Sequence, residues 1–320
     1  MDMSRILTKA AEMNASDVHF TVGQPVFFRV AGEIFKFGEN LTADEVKNFL
    51  TEILPEHGKS ELKEKGGTDF SYTEKNLNRR FRVNVYRQRN FPAAAFRLIA
   101  DKIPTLEEIG APAVMKKLLD LKQGLILVTG RTGSGKSTTI AAFLNELCSL
   151  GPRHLLTLED PIEFEYSTEK SFVSQREYGQ DFFCFADAVR TAMREMPDVL
   201  LIGEIRDSET MSAALEASAA GILVLSTLHT RSAAETAMRV ETMFPISRRE
   251  SVRDLFADEF SAIISQELVK NSAGKIVCSA EVLTAIPATR SIIRAGKYIQ
   301  LPSIMLANRS CGMQIRENKK

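Results

Sequence analysis

The sequence lacks a long apolar run. Although 44% of its residues are hydrophobic, no stretch approaches the roughly 20 apolar residues that a membrane-spanning helix needs. Residues 1–5 also lack the basic and apolar regions of a secretory signal. These absences predict a cytoplasmic protein without a transmembrane segment.

The few cysteines are scattered, and none belongs to a Cys-x-x-Cys pair. Zinc sites and disulfide frameworks usually show such paired spacings. The pattern therefore predicts reduced, mostly buried thiols in a reducing compartment. The four residues are Cys148, Cys184, Cys278 and Cys311.

Neither sign of charge is in excess, since 41 Lys and Arg balance 41 Asp and Glu. Proteins that clamp a nucleic-acid backbone usually show a basic face or a high pI. The balance argues against a direct nucleic-acid partner. The 320 residues are enough for about two domains.

The first hundred residues have the pattern of short strands with a few helices. Residues 27–30 and 33–37 flank Ala31-Gly32, which predicts a hairpin. Residues 80–87 alternate polar and apolar side chains as a half-buried strand does, and residues 94–99 are the expected partner strand. A connector follows at 102–105, because the residue before Pro104 is disfavoured in a helix. We expect a small α+β domain over 1–100.

After Pro104, near-continuous apolar strands alternate with helical segments, and a helix-rich tail follows. This alternation predicts an α/β domain over 101–320, with a parallel sheet covered on both faces. The predicted elements are strands at 125–129, 154–158, 199–202 and 222–227, with helices at 136–150 and 210–220.

A phosphate-binding loop is the strongest motif. The pattern G-x-x-x-x-G-K-[ST] follows an apolar strand and precedes a helix, which is its expected setting. Its backbone N–H groups and lysine bind the phosphates of ATP, its serine binds Mg²⁺, and the helix N-terminus favours the anion. The predicted nucleotide-binding residues are Gly130, Arg131, Thr132, Gly133, Ser134, Gly135, Lys136, Ser137 and Thr138.

Polar residues follow three other predicted strands. Glu159-Asp160-Pro161-Ile162-Glu163, Gly203-Glu204 and Thr227-Leu228-His229-Thr230 each come directly after an apolar run. Ligands of open parallel sheets bind outside the carboxyl ends of the strands. We therefore expect these groups to share one edge of the sheet with the phosphate loop.

Glu204 is the candidate carboxylate that holds Mg²⁺ through water or polarises the attacking water. A surface ion pair with Arg206 is the alternative. Asp198 lies about 20 Å away at the other end of the strand, given about 3.3 Å per residue. His229 either senses the γ-phosphate or fills a polar gap.

The acidic residues after the second strand are less clearly assigned. Glu159, Asp160 and Glu163 are either catalytic or cap the next turn. Several arginines also crowd two strands of the first domain. They are either solvated surface or include arginine fingers that reach a neighbouring subunit's phosphates; they are Arg79, Arg80, Arg82, Arg87, Arg89 and Arg97.

In their order along the chain, these motifs resemble those of the secretion ATPase superfamily, most closely its PilT-like type IV pilus retraction ATPases, which drive twitching motility. The resemblance covers nearly the whole chain. The similar segments are Ala15-Ser16-Asp17-Val18-His19-Phe20, Phe81-Arg82-Val83-Asn84-Val85, the phosphate loop, Leu158-Glu159-Asp160-Pro161-Ile162-Glu163 (Asp box), residues 197–207 (Walker B), Ser226-Thr227-Leu228-His229-Thr230 (His box) and Gly312-Met313-Gln314.

The resemblance implies a PAS-like N-terminal domain and a RecA-like ATPase domain, assembled as a homohexameric ring. It implies catalytic roles for Glu204, Glu163 and His229, with Arg82 and Arg97 contributed across the subunit interface. Ser137 and, through water, Glu204 would hold Mg²⁺. The implied partner is an inner-membrane pilus platform protein, which would place the motor peripherally at the inner face of the cell membrane.

The sequence departs from the family pattern at several positions. Arg131 stands where proline is usual, Met196 where an acidic residue is usual, and Ile222 where the His box begins with histidine. Residues 288–294 only approximate the "AIRNLIRE" segment tied to retraction. One alternative is therefore a divergent accessory paralogue that hydrolyses weakly and assembles with an active motor. The other is a DNA-translocating ATPase, against which the charge balance argues. The absence of a four-cysteine metal element favours the retraction branch.

Overall fold

The computed structural model describes residues 2–99, 102–166, 169–270, 274 and 276–316. Contacts divide them into two compact units. The first contains the described residues up to Lys102 together with Asp160–Glu165 and Glu177–Asp181, and the second contains the remainder. The predicted boundary between 100 and 101 lies outside the described residues. The PAS-like assignment of the first unit stays a prediction.

The first unit is built on a six-stranded antiparallel sheet. The strand order is β3-β2-β1-β6-β5-β4. Its elements are helix α1 (Met3–Glu12), strands β1 (Asp17–Phe20), β2 (Val26–Val30) and β3 (Glu33–Phe37), helices α2 (Ala43–Ile53) and α3 (Glu56–Glu64), and strands β4 (Gly67–Glu74), β5 (Arg79–Gln88) and β6 (Phe91–Leu98).

The two predicted strand pairs of this unit are present. Val30 pairs with Glu33 across a turn in which Ala31 and Gly32 both have positive φ, the requirement of a tight two-residue hairpin. β5 pairs with β6 along its length. A cluster of aromatic side chains fills the core below the sheet, with Phe20 and Phe96 in edge-to-face contact at 5.1 Å.

A buried carboxylate ties separate stretches of chain into the first unit. Glu177 is 3% exposed. Its oxygens accept hydrogen bonds from Ser71 N and Oγ, Arg80 Nη2, Ile162 N and Gln180 Nε2, at 2.5 to 3.3 Å. Because Ile162 N is one of the five donors, this buried carboxylate connects residues 160–165 to β4 and β5.

The second unit contains a seven-stranded mixed sheet in the order β13-β12-β7-β11-β10-β8-β9. Its elements are α4 (Val114–Leu118), β7 (Gly124–Thr129), α5 (Lys136–Leu150), β8 (His154–Glu159), β9 (Phe172–Glu177), α6 (Phe185–Ala192), β10 (Val199–Ile202), α7 (Ser208–Ala219), β11 (Leu223–Leu228), α8 (Ala233–Thr242), α9 (Ile246–Glu259), β12 (Phe260–Lys270), β13 (Ile276–Thr284), α10 (Pro287–Arg294) and α11 (Leu301–Ala307).

The centre of this sheet is parallel and fully buried. Every residue of β7, β10 and β11 is buried, which agrees with a sheet covered on both faces. At one side, however, β12 runs parallel to β7 and pairs antiparallel with β13. The tail predicted to be helix-rich therefore also contributes two long strands, and the sheet is not parallel throughout. The α/β class is confirmed.

The cysteines are free, as expected, but their burial differs from the prediction. Cys148 is buried, Cys278 is half-buried, and Cys184 and Cys311 are exposed. The prediction of mostly buried thiols was wrong, because Cys184 lies at the N-cap of α6 and Cys311 in a 3₁₀ turn. Burial raises the pKa of the Cys278 thiol to about 11.

Among the described helices, none has both the length and the apolar character needed to cross a bilayer.

The Glu177 cluster yields a test of local stability. Glu177→Ala leaves buried donors without an acceptor and should lower the local free energy of unfolding by about 3 kcal/mol. Hydrogen–deuterium exchange of the β5 amides measures this change. Glu165→Ala is the matched control, because Glu165 also pairs with Arg80 but its side chain is 68% exposed; its effect should stay below about 1 kcal/mol. Equal exchange in the two variants would contradict the structural role of Glu177.

Candidate active site

The phosphate loop spans residues 130–135, between the end of β7 and the start of α5. Gly130, Gly133 and Gly135 have φ values of +148°, +79° and +82°, a region that side chains with a Cβ rarely enter. A Cβ added to Gly130 would lie 2.4 Å from the carbonyl oxygen of Gln266. The close approach of two backbones therefore requires glycine at this position.

Lys136 lies at the first position of α5 and is 9% exposed. Its ammonium donates to the carbonyl oxygens of Gly130 at 2.9 Å and Arg131 at 3.2 Å. No side chain caps the N-terminus of α5. The first-turn N–H groups and the helix dipole therefore favour an anion beside the lysine.

The remaining loop residues differ in exposure. Ser137, in the first turn of α5, is exposed, so its hydroxyl is accessible to a ligand. Thr138 is half-buried, and Ser134 is buried. Arg131 and Thr132 are exposed at the tip of the loop.

Four parallel strands bring the other candidate residues to the same sheet edge. β8 pairs with β10, β10 with β11, and β11 with β7, all in parallel register. Their carboxyl ends therefore lie side by side, as predicted. Asp198 lies at the other end, where its carboxylate accepts a hydrogen bond from His154 N at the start of β8.

Glu204 and His229 meet at this edge. The Glu204 Oε2 and His229 Nε2 atoms are 3.1 Å apart, and the Glu204 side chain is only 19% exposed. Arg206 forms an ion pair with the other carboxylate oxygen. The contact predicted as an alternative is thus present, but Glu204 is mostly buried and also joins the ends of β10 and β11, unlike a simple surface pair.

Glu159, the last residue of β8, is 8% exposed and has internal partners. It accepts hydrogen bonds from Thr157 Oγ1 at 2.6 Å and from Gln175 Nε2 at 3.2 Å. This arrangement stabilises the end of the strand.

The chain then enters the first unit, to which Asp160 and Glu163 belong. There Arg82 Nη1 lies 3.4 Å from Glu163 Oε1, and Arg82 Nε lies 3.9 Å from Asp69. The structure thus pairs two of the predicted catalytic residues within the first unit.

Arg97 is the most exposed of the predicted catalytic side chains, at 71%. Its Nε donates to Asp17 at 2.9 Å. Burial alone would raise the pKa of the Asp17 carboxyl, but hydrogen bonds from Arg97 and Ser16 outweigh it and hold the pKa below its usual value.

The three residues that depart from the family motifs differ in their exposure to solvent. Met196 has a positive φ and is 83% exposed. Ile222, in contrast, is buried just before β11. Arg131 lies in the exposed part of the phosphate loop. These three substitutions therefore leave the Glu204–His229 contact in place.

One residue of this site was missed from the sequence. Gln266, on β12, is 1% exposed and donates from Nε2 to the carbonyl oxygen of Ser134 at 2.7 Å. The only available signal was a pair of polar residues, Ser265-Gln266, inside an apolar run.

The sequence and fold have known relatives. The profile of the family "Type II/IV secretion system protein" matches residues 1–286. The chain belongs to this family. The type IV pilus retraction ATPase PilT of Pseudomonas aeruginosa is 40% identical over 98% of this chain and 91% of its own length. A twitching motility protein of Neisseria gonorrhoeae is also 40% identical, over 98% of this chain and 83% of its own.

A solved structure agrees with both sequence relatives. The crystal structure of the pilus retraction motor PilT with bound ADP superposes with a TM-score of 0.89 at 40% identity, covering 96% of this chain and 90% of the other. The predicted superfamily, and within it the likeness to the retraction ATPases, is confirmed.

Two glycines of the phosphate loop, one in a crowded position and one in an open position, allow a matched test. Gly130→Ala places a Cβ against the backbone carbonyl oxygen of Gln266, so ATP affinity should fall about 100-fold, the upper range of the cost of overpacking. Gly133→Ala meets nothing within 4 Å and carries only the strain of a positive φ, which costs about tenfold or less. Titration with a fluorescent ATP analogue measures both, with thermal unfolding as the check on folding. Equal losses would contradict the close approach at Gly130.

Proposed function

We infer that this family member is a P-loop ATPase that powers the retraction of a type IV pilus. The observation that carries the inference is the convergence of the phosphate loop, Glu204 and His229 at the ends of neighbouring parallel strands. The relatives confirm the prediction of an ATP-hydrolysing retraction motor at the level of the family.

The phosphate loop supplies the binding energy for the triphosphate. Its inward-facing N–H groups and the N-terminus of α5 interact with the phosphate oxygens. Lys136, which now bonds two loop carbonyls, reaches the outer phosphates as a compact cation. Because these groups are fixed before the reaction, they stabilise the developing charge without reorganisation.

Glu204 is the residue to which we assign the attacking water. Its carboxylate is oriented by His229 and Arg206, so it can accept a hydrogen bond from water or from a hydrated Mg²⁺. The described residues contain no group of three or more His, Cys, Asp or Glu side chains that would hold a metal alone. Mg²⁺ would therefore depend on nucleotide oxygens together with Ser137 and Glu204, and it would neutralise the phosphate charge.

Removal of the loop cation tests the binding role. Lys136→Ala should abolish ATP turnover and weaken nucleotide binding, because the lysine supplies the positive charge to the outer phosphates. Lys136→Arg should fail as well, since a planar guanidinium differs in shape from an ammonium. Steady-state phosphate release measures both variants, and wild-type turnover in either one would refute the assignment.

Neutralisation of Glu204 tests the catalytic role. Glu204→Gln keeps the size of the side chain but loses its charge, so ATP should still bind while turnover falls about 100-fold or more. Glu209→Gln, an exposed carboxylate on α7, is the matched control and should retain activity. If binding fell as steeply as turnover, Glu204 would be structural, and the catalytic role would pass to Glu159 or Glu163.

We assign Arg82 and Arg97 to the ATP site of a neighbouring subunit in a homohexameric ring. Both residues belong to a unit that has no phosphate loop of its own, and Arg97 is mostly exposed. The ring would act from the cytoplasm on a platform protein at the inner face of the cell membrane, with a paralogous motor ATPase as an additional partner in the accessory alternative.

Subunit mixing tests this shared site. An Arg82→Ala, Arg97→Ala double variant and a Lys136→Ala variant should each be inactive alone. When they are combined, some interfaces join an intact loop to intact arginines, so ATPase activity should partly return. Arginine fingers supplied in trans contribute about 10³–10⁵ in rate elsewhere. A mixture that stays inactive, with specific activity of the wild type unchanged on dilution, would rule the shared site out.

A further inference from the structure

Gln266 contacts the phosphate loop from the neighbouring strand. Its Nε2 donates to the carbonyl oxygen of Ser134 at 2.7 Å, and the side chain is almost fully buried. A Cβ on Gly135 would lie 3.3 Å from the same Nε2 atom. The amide therefore lies directly against the peptide group that joins Ser134 to Gly135.

The planarity of that peptide links the direction of the Ser134 carbonyl to the direction of the Gly135 N–H. In a planar trans peptide the C=O and the following N–H point in opposite directions. A hydrogen bond that fixes the Ser134 carbonyl toward β12 therefore fixes the Gly135 N–H away from β12. Gly135, whose φ is +82°, does little to fix this orientation itself, because glycine has no Cβ and adopts positive and negative φ about equally readily.

Two unpaired polar atoms near this contact indicate that packing alone does not explain why a glutamine occupies position 266. Within the described part of the chain, Gln266 Oε1 and Ser134 Oγ are buried without a hydrogen-bond partner. A buried polar atom left in this way costs free energy that an apolar side chain of similar size would avoid. The hydrogen bond from Nε2 to the Ser134 carbonyl is the contact that offsets part of this cost.

We propose that Gln266 is a positioning residue that holds the phosphate loop in its anion-binding form, with the Gly135 N–H directed at the nucleotide phosphates. The proposal rests on the proposed function, since it names how the same site is kept ready for a nucleoside triphosphate. Gln266 acts through the loop and does not itself touch the phosphates.

The first test separates phosphate binding from overall folding. In Gln266→Leu, the affinity for ATP and ADP should fall about tenfold, the effect of one buried hydrogen bond. The affinity for AMP, which lacks the outer phosphates, should change less than about twofold. Gln314→Leu is the matched control, because the Gln314 Nε2 also donates to a strand carbonyl, that of Ala280, at 2.6 Å. It should bind all three nucleotides as the wild type does.

The second test replaces the donor by one that pH controls. Gln266→Glu has nearly the same shape, and only its protonated form carries a hydrogen that the Ser134 carbonyl can accept. Its ATP affinity relative to wild type at the same pH should be lowest near pH 8 and recover toward pH 5. The charged residues of the adjoining elements are Arg131 in the phosphate loop, Lys136 and Glu146 on α5, Glu267 and Lys270 on β12 and Glu281 on β13. The wild type carries the same groups, so it is compared at each pH.

The outcomes distinguish a failure of the proposed ATPase function from a failure of the role proposed for Gln266. If the wild type bound no ATP, the proposed function would fall. If it bound ATP while Gln266→Leu bound ATP as tightly, or lost ATP and AMP equally, this inference alone would be overturned. Should Gln266→Leu fail to fold by thermal unfolding, the pH profile of Gln266→Glu decides: recovery at low pH supports the proposal, and a flat profile contradicts it.

Discussion

The approach of the loop backbone to β12 at Gly130 constrains the whole candidate site. No side chain fits there, since a Cβ would overlap the carbonyl oxygen of Gln266. With the loop pressed against that strand, Lys136 can bond to the loop carbonyls and α5 can begin immediately after Gly135. A loop of this shape collects N–H groups around an anion by geometry alone, before any charged side chain contributes.

The parallel sheet brings further candidate side chains to the same edge as the phosphate loop. Parallel pairing of β7, β11, β10 and β8 brings four chain segments to one edge, where Glu204 and His229 meet at 3.1 Å. The carboxylate is held by two partners and is largely removed from solvent. In the proposed function, phosphate binding and water positioning are assigned to residues that follow different strands, so we expect a substitution to remove one without the other.

Local sequence signals predicted the elements next to this edge well. α5, for example, has the predicted bounds. In the first unit, the Ala31-Gly32 hairpin was also predicted, because its signal needs only two adjacent residues. The strands β12 and β13 were missed because their pairing is with each other and with β7, and residues 260–284 contain no motif. Gln266 was missed because its acceptor, Ser134, is 132 residues away in sequence. The inclusion of residues 160–165 in the first unit was likewise missed, because their contacts with Arg80, Arg82 and Glu177 join residues that no spacing rule connects.

The most direct measurement is a crystal structure of the chain with Mg²⁺ and a non-hydrolysable ATP analogue. We expect the β- and γ-phosphates to lie in the loop of residues 130–135, within hydrogen-bond distance of Lys136 Nζ and the Gly135 N–H. We also expect Glu204 to face the γ-phosphate across a water molecule and the Gln266 bond to Ser134 to be retained. Phosphates bound away from this loop, or a Glu204 carboxylate turned from them toward Arg206 alone, would contradict the proposed function of this site.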